Sequence, residues 1–413
     1  MDIPHTIGLM TTLLLVALLV EPLARRLHLP FSAVLVICGF VGSEAVVAAG
    51  GDTGLRWHHF HDLILFALLP VIIFQSALTL DLRQLRANLV PTLFLALPVT
   101  LVSAAIVAVL VYYGIGHPSG FPWMAAALTG ILLSATDPVA VLDLFHRLGA
   151  PRRLTVLMEG ESLFNDALAI VAFGLLLEMA LGQIGDASAL MALGRFLLVF
   201  LGGALVGFVV GVAFVGLMRW VSGSMRQAVA SLIGSYLAFW LAQHALGLSG
   251  VMSVLAAGLI IGHWRRKQRG GGLPGLVEEL WSGADYLANA VVFLLVGVTI
   301  TLDMFSERWL AMLIGISAVL LARAMGVLAG LGLAGRLPGS QPVPLAQQAV
   351  VFWGGQRGAV TLALALSLPL ALDYWWTIQS IAYGVVLFTL FVQAPSIPPL
   401  LRWAVRATNR PSH

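Results

Sequence analysis

The sequence predicts an all-α polytopic membrane protein of thirteen transmembrane helices, and three observations carry that prediction. Hydrophobic residues make up 60% of the 413-residue chain and charged residues only 10%, whereas a soluble domain of ordinary composition is about a quarter charged. Apolar runs near the roughly 20 residues needed to cross a bilayer recur from end to end. Lys and Arg concentrate in alternate gaps between those runs, as cytoplasmic loops require. Ten-residue segments of alternating polarity, the mark of a membrane barrel, are absent from the sequence.

The runs fall at roughly 6–22, 30–49, 61–80, 88–114, 122–145, 155–182, 188–218, 226–246, 249–264, 283–302, 309–334, 345–372 and 375–400. One set of alternate loops holds Arg25, Arg26, Arg83, Arg86, Arg147, Arg152, Arg153, Arg219, Arg226, Arg265, Arg266, Lys267, Arg269, Arg336, Arg402, Arg406 and Arg410; the other set holds only Arg56 and Arg308. An outside N-terminus and a cytoplasmic C-terminus fit this asymmetry. The first run follows no positive segment and precedes no small-residue cleavage site, so it reads as a retained helix. A pI near 9.3 is explained by these loops, and no nucleic-acid partner is expected. The single Cys38 excludes an intramolecular disulfide. The longest loop, RRKQRGGGLPGLVEEL, reads as a solvated connector, and no soluble domain is expected.

Charges inside the spans are the informative ones, because a charge at the bilayer centre costs about 3 kcal/mol or more. The sixth run contains MEGESLFNDALAIV at 158–171. At about 1.5 Å per residue from Thr155, Asp166 lies roughly 16 Å deep, near the midplane. Ser162 and Asp166 are one helical turn apart, as are Glu161 and Asn165, and the two faces adjoin. In the fifth run, TDPVAV places Pro138 after Asp137; proline donates no hydrogen bond and disfavours helix in the residue before it. A break there frees carbonyls such as that of Thr136, at a depth close to that of Asp166. The twelfth run offers a second break, GGQRG, around Arg357. Seven spans separate the two, so they run in opposite directions. Interrupted helices in corresponding positions of inverted halves point to a transporter's central site.

Counting charge narrows the chemistry. Asp137, Glu161 and Asp166 face Arg323 and Arg357, leaving one carboxylate in excess that must be protonated or bind a cation. A site occupied by either a proton or one monovalent cation is what an exchanger needs. Oxygen ligands from Asp137, Asp166, Ser162 and the Thr136 carbonyl suit a hard cation such as Na⁺. A cation channel or ion-sensing membrane protein is the alternative, but a channel requires a continuous pore with rings of ligands.

These motifs together (TDPVAV, EGESLFNDALAIV, LLARAMGV, GGQRGAV and VVLFTLFVQAPSIPPLL) resemble the cation–proton antiporter 1 family, which includes the NhaP-type sodium–proton antiporters. The resemblance covers essentially the whole chain. It implies a homodimer of thirteen-helix protomers with inverted repeats, crossed and discontinuous helices 5 and 12, and the NhaA-like antiporter fold. Residues 1–413 would form one membrane unit with interleaved dimer-interface and core helices, the core including about 88–182 and 309–400. It further implies Asp166 as the ion and proton carboxylate, completed by Asp137, Ser162 and Thr136, with Glu161 paired to Arg323. Asn165 stands where electrogenic relatives carry another aspartate, so electroneutral exchange of Na⁺, or of Li⁺ or K⁺, for H⁺ is expected across the cell membrane. No enzymatic activity and no cofactor are implied, and the partners are the cation, protons, membrane lipid and a second copy. Gln75 departs from the pattern, since the family carries an acidic residue there. The family's long cytoplasmic tail is not expected beyond Leu401.

Other features have plainer readings. HHFH at 58–61 reads as an interfacial histidine cluster. GLSG at 247–250 resembles a rhomboid protease turn, but its serine falls in a tight outer loop. Arg195 is placed to snorkel to the outer interface, and Glu178 reads as an entrance or interface residue.

Overall fold

The computed structural model describes residues 3–27, 29–48, 63–116, 120–138, 141–142, 145, 152–182, 189–269, 275–335 and 343–408. Among these residues the structure is helical, and each of the thirteen apolar runs coincides with a helix or a pair of half-helices. Among the described residues seven helices are long and apolar enough to cross a membrane on length and composition alone. Shorter apolar helical stretches lie at Thr11–Ala24, Leu63–Thr79 and Trp123–Leu132.

The chain divides into two compact units. The first comprises Met1–Asp62, Asn88–Asp166 and Asn289–His413; the second comprises Leu63–Ala87 and Ala167–Ala288. The first unit opens with α1 (Ile3–Leu27) and α2 (Phe31–Ala48). The run at 88–114 folds as α5 (Leu89–Phe94), a π-turn at Leu95–Val99 and α6 (Thr100–Gly114). Pro98 inside that turn has no N–H to offer, and the Thr100 hydroxyl donates to the Leu95 carbonyl at 3.0 Å. Wider π geometry is thus the local response to a missing donor. Helix α7 (Trp123–Leu132) packs on α6, and the long α13 (Leu302–Ala334) packs on both α6 and α16 (Trp375–Phe388). Half-helices α14 (Leu345–Trp353) and α15 (Ala359–Leu366) make the twelfth run. A second π-turn, Thr389–Gln393, links α16 to α17 (Ala394–Thr408). One cluster of buried apolar side chains, including Phe145, Leu157, Val327 and Ile397, supports the ends of these helices.

The second unit contains α3 (Leu69–Thr79), the short α4 (Leu82–Ala87), α9 (Ala189–Trp220), α10 (Ser224–Trp240) and α11 (Gly250–Arg269). Arg266 donates to the carbonyls of Leu78, Thr79 and Leu80, closing the C-terminal end of α3. Two helices cross from one unit to the other along the sequence: α8 (Arg152–Ala180) and α12 (Leu276–Thr299).

Helix α12 begins at Leu276, several residues before the apolar run at 283–302. Hydropathy misses this first turn because it carries Glu278 and Glu279. Glu278 makes a two-point ion pair with Arg265 at 2.9 and 3.1 Å, and Arg265 also reaches Gln227. At the C-terminus α17 continues to Thr408, past the apolar limit at 400, as an amphipathic helix with Arg402 and Arg406 on its polar face.

Candidate functional site

Both breaks occur in the first unit. Helix α7 stops at Leu132, earlier than Pro138 alone would require: the Leu133 N–H donates the last helical bond to the Thr129 carbonyl at 3.1 Å, and 135–138 carry no secondary structure. Ser134 turns its hydroxyl back onto the Ile131 carbonyl at 2.6 Å. Helical bonding resumes with Leu142 N–H donating to the Pro138 carbonyl at 2.8 Å. Helix α14 stops at Trp353, Gly354 takes the last helical bond from Val350, and α15 starts at Ala359. The breaks meet directly: the Asp137 N–H donates to the Gln356 carbonyl at 2.7 Å.

Unpaired backbone groups at such breaks need partners, and the residues between the half-helices supply them. Arg357, 4% exposed, donates to the carbonyls of Ser134 at 3.3 Å and Ala135 at 3.0 Å. A cation therefore sits against the carbonyl-rich end of α7, where the helix dipole favours it. Asp137 occupies the opposite electrostatic position. Its carboxylate lies so close to Gly358, the residue before α15, that any Cβ there would overlap it. That helix start has no side-chain cap, so its free N–H groups and dipole favour a nearby anion. Thr389 donates to the Arg357 carbonyl at 3.1 Å from the first residue of the second π-turn.

Helix α8 supplies the facing groups. The Ser162 hydroxyl donates a short hydrogen bond to the Thr136 carbonyl. Asn165 grips the same residue twice: its Nδ2 donates to Thr136 Oγ1 at 2.7 Å, and its Oδ1 accepts from the Thr136 N–H at 3.3 Å. One turn beyond Ser162, Asp166 is partly buried, and its Oδ1 is sealed from solvent with no hydrogen-bond partner among the described residues. Asp137 and Arg357 both act on it electrostatically. A buried carboxylate oxygen lacking a donor costs on the order of 1–3 kcal/mol or more, and a proton or a metal cation would relieve it.

Glu161 has the opposite environment. It is 1% exposed and forms a two-point ion pair with Arg323: Nη1 donates to Oε1 in a short contact, and Nη2 donates to Oε2 at 3.2 Å. Arg323 also holds the Val351 carbonyl at 3.1 Å. Gly355 lets the guanidinium approach, since a Cβ there would lie 3.0 Å from its central carbon. The structure therefore separates two arginines of similar depth: Arg323 neutralises Glu161, and Arg357 binds backbone.

Other singled-out residues lie elsewhere. Gln75 belongs to the second unit, on α3, where its Oε1 is buried and without a hydrogen bond among the described residues. Arg195 pairs with Glu178 at 2.9 Å, both well exposed; charge pattern alone had left them separate. Ser249 of GLSG is a helix cap, its hydroxyl accepting the Met252 N–H at 3.1 Å. The histidines of 58–61 fall outside the described residues. Sequence reasoning passed over Gln356 and Thr389. A threonine in an apolar run has no distinguishing signal, whereas the glutamine was visible inside GGQRG.

An all-helical membrane protein in which two broken helices meet beside buried carboxylates belongs to the architecture of membrane ion antiporters. The profile described as "Sodium/hydrogen exchanger, transmembrane" matches residues 11–403, and the chain belongs to that family. It is 37% identical over 335 residues to the Na(+)/H(+) antiporter ApNhaP of Aphanothece halophytica, covering 80% of this chain and 63% of that protein. It is 30% identical over 405 residues to the Na(+)/H(+) antiporter NhaH of Halobacillus dabanensis, covering 94% of this chain and 96% of that one. The fold is similar to that of the sodium proton antiporter MjNhaP1 from Methanocaldococcus jannaschii, with a TM-score of 0.84 at 19% identity, covering 99% and 100% of the two chains.

Proposed function

We propose that this chain is a secondary antiporter exchanging a monovalent cation, Na⁺ before Li⁺ or K⁺, for H⁺, with both ions competing for Asp166. The observation that carries this reading is the buried, unpartnered Asp166 Oδ1 beside the Ser162–Thr136 contact. Ser162 spends its proton on the Thr136 carbonyl, which leaves the hydroxyl oxygen's lone pairs free to bind a cation. The Thr136 carbonyl keeps a second lone pair, and Asp137 adds a carboxylate. These are hard oxygen ligands, suited to Na⁺.

Charge balance supplies the coupling. Asp137, Glu161 and Asp166 stand against Arg323 and Arg357, so the empty site carries one net negative charge. One proton or one monovalent cation neutralises it. A net charge is costly to carry through a low-dielectric barrier, so occupied protein reorients readily and empty protein does not. Exchange follows without a separate gate, and each half-cycle moves no net charge. Asn165 preserves that balance by holding Thr136 through a neutral amide. In this reading the chain works in the cell membrane by alternating access, with its N-terminus outside, its C-terminus cytoplasmic, and two copies forming a homodimer.

The test is flux in proteoliposomes. An imposed pH gradient should drive Na⁺ uptake that saturates with Na⁺, is inhibited by protons and persists with the membrane potential clamped at zero. Cation flux that does not saturate, or that needs no pH gradient, would instead indicate a channel.

A further inference from the structure

The residue between Gly355 and Arg357 has an uneven environment. The main chain of Gln356 is held at both ends. Its N–H donates to the Gly354 carbonyl at 2.9 Å and its carbonyl accepts from Asp137 at 2.7 Å. The next carbonyl, that of Arg357, accepts from Thr389. The Gln356 side chain is only 3% exposed, yet its Nε2 has no partner among the described residues. A primary amide has four hydrogen-bonding positions, and leaving a buried one empty is costly. A residue bonded to Asp137 through its main chain and carrying a buried, unsatisfied side-chain amide is a group held ready for something to bind.

Which amide atom is oxygen is an assignment from hydrogen bonding, and here no bond decides it. With the amide turned over, the unpartnered position holds a neutral oxygen, a ligand of the kind that hard cations accept. We propose that Gln356 is a specificity-determining residue of the cation site, its side-chain oxygen entering the coordination shell of the ion held by Asp166 and Asp137. This inference rests on the antiport reading given above. A neutral ligand adds coordination without adding charge, so it tunes cation affinity and size preference and leaves the one-for-one charge balance intact.

The experiment compares wild type, Gln356→Leu and Gln356→Glu in proteoliposomes, measuring Na⁺- and Li⁺-dependent exchange at fixed pH, with thermal unfolding in detergent run alongside. Gln356→Leu removes the oxygen at similar volume. It should raise the half-saturating Na⁺ concentration about tenfold, the scale of one lost buried polar contact, and change the Na⁺/Li⁺ ratio with little effect on maximal rate. Gln356→Glu keeps an oxygen and adds charge; it should tighten Na⁺ and extend inhibition by protons to higher pH. Gln356→Leu with a wild-type half-saturation and cation ratio would overturn the inference, as would a lowered melting temperature and maximal rate at constant half-saturation. Should Gln356→Leu not fold, an unmoved half-saturation and pH profile in Gln356→Glu would overturn it equally. Absence of exchange in wild type would instead defeat the antiport reading itself, so the two failures are distinguishable.

Discussion

Glu161 and Asp166 lie five residues apart on one helix, and their environments are opposites. Glu161 is closed on both oxygens by Arg323, which is anchored in turn to the Val351 carbonyl. Asp166 retains a buried oxygen that nothing in the described structure satisfies. Arg357 acts on it electrostatically but makes no hydrogen bond to that oxygen, and directs its Nη1 to two carbonyls at the end of α7. Burial alone therefore does not identify a working charge. On the antiport reading proposed above, what separates a structural carboxylate from a transporting one is whether the fold supplies its counter-ion or leaves that role to a mobile ion.

The largest expected effect comes from removing the open carboxylate. Asp166→Asn should abolish cation-driven proton flux while the protein still folds, since an amide there strands no partner. Flux near the wild-type level in that variant would break the contrast. Next in size is Gly358→Ala. Its methyl overlaps the Asp137 carboxylate, so either Asp137 or the start of α15 must move, and exchange should fall by an order of magnitude or more. Wild-type rates in Gly358→Ala would show that the placement of Asp137 is not critical.

The closed pair should respond differently. Removing one partner of a buried ion pair costs about 3–5 kcal/mol, because the other charge is stranded. Glu161→Gln should therefore lower yield and melting temperature, and the protein that survives should keep its half-saturating Na⁺ concentration. An unchanged melting temperature with a large shift in affinity would reverse the roles of the two carboxylates. The smallest structural effect is expected for Asn165→Asp. The carboxylate can still accept from the Thr136 N–H, and the Thr136 hydroxyl can turn to donate to it. Stability should change by only about 1 kcal/mol, while the extra negative charge makes exchange sensitive to membrane potential. Voltage-independent exchange in Asn165→Asp would argue against the charge count.

Much of this architecture was legible in the sequence, because bilayer thickness sets the length of apolar runs and Lys and Arg mark their alternate ends. The two breaks were also visible, in Pro138 and in the glycines around Arg357. Their extent was not. Helix α7 ends at Leu132, and Arg357, more than two hundred residues away, takes the freed carbonyls of Ser134 and Ala135. No local pattern encodes that contact. The early start of α12 was hidden for a similar reason: Glu278 looks like loop until Arg265 is seen beside it. Likewise, two arginines of similar depth do not declare which one meets Glu161. That choice depends on the room that Gly355 leaves for Arg323.

The most direct test of the central claim is proton release on cation binding. Purified protein in weakly buffered detergent solution would be titrated with NaCl at a pH where the site is largely protonated, with choline chloride as the ionic-strength control. If Na⁺ and H⁺ compete for Asp166, wild type should release close to one proton per bound Na⁺, and Asp166→Asn should release none. Na⁺ binding without proton release, or release that survives in Asp166→Asn, would contradict the account.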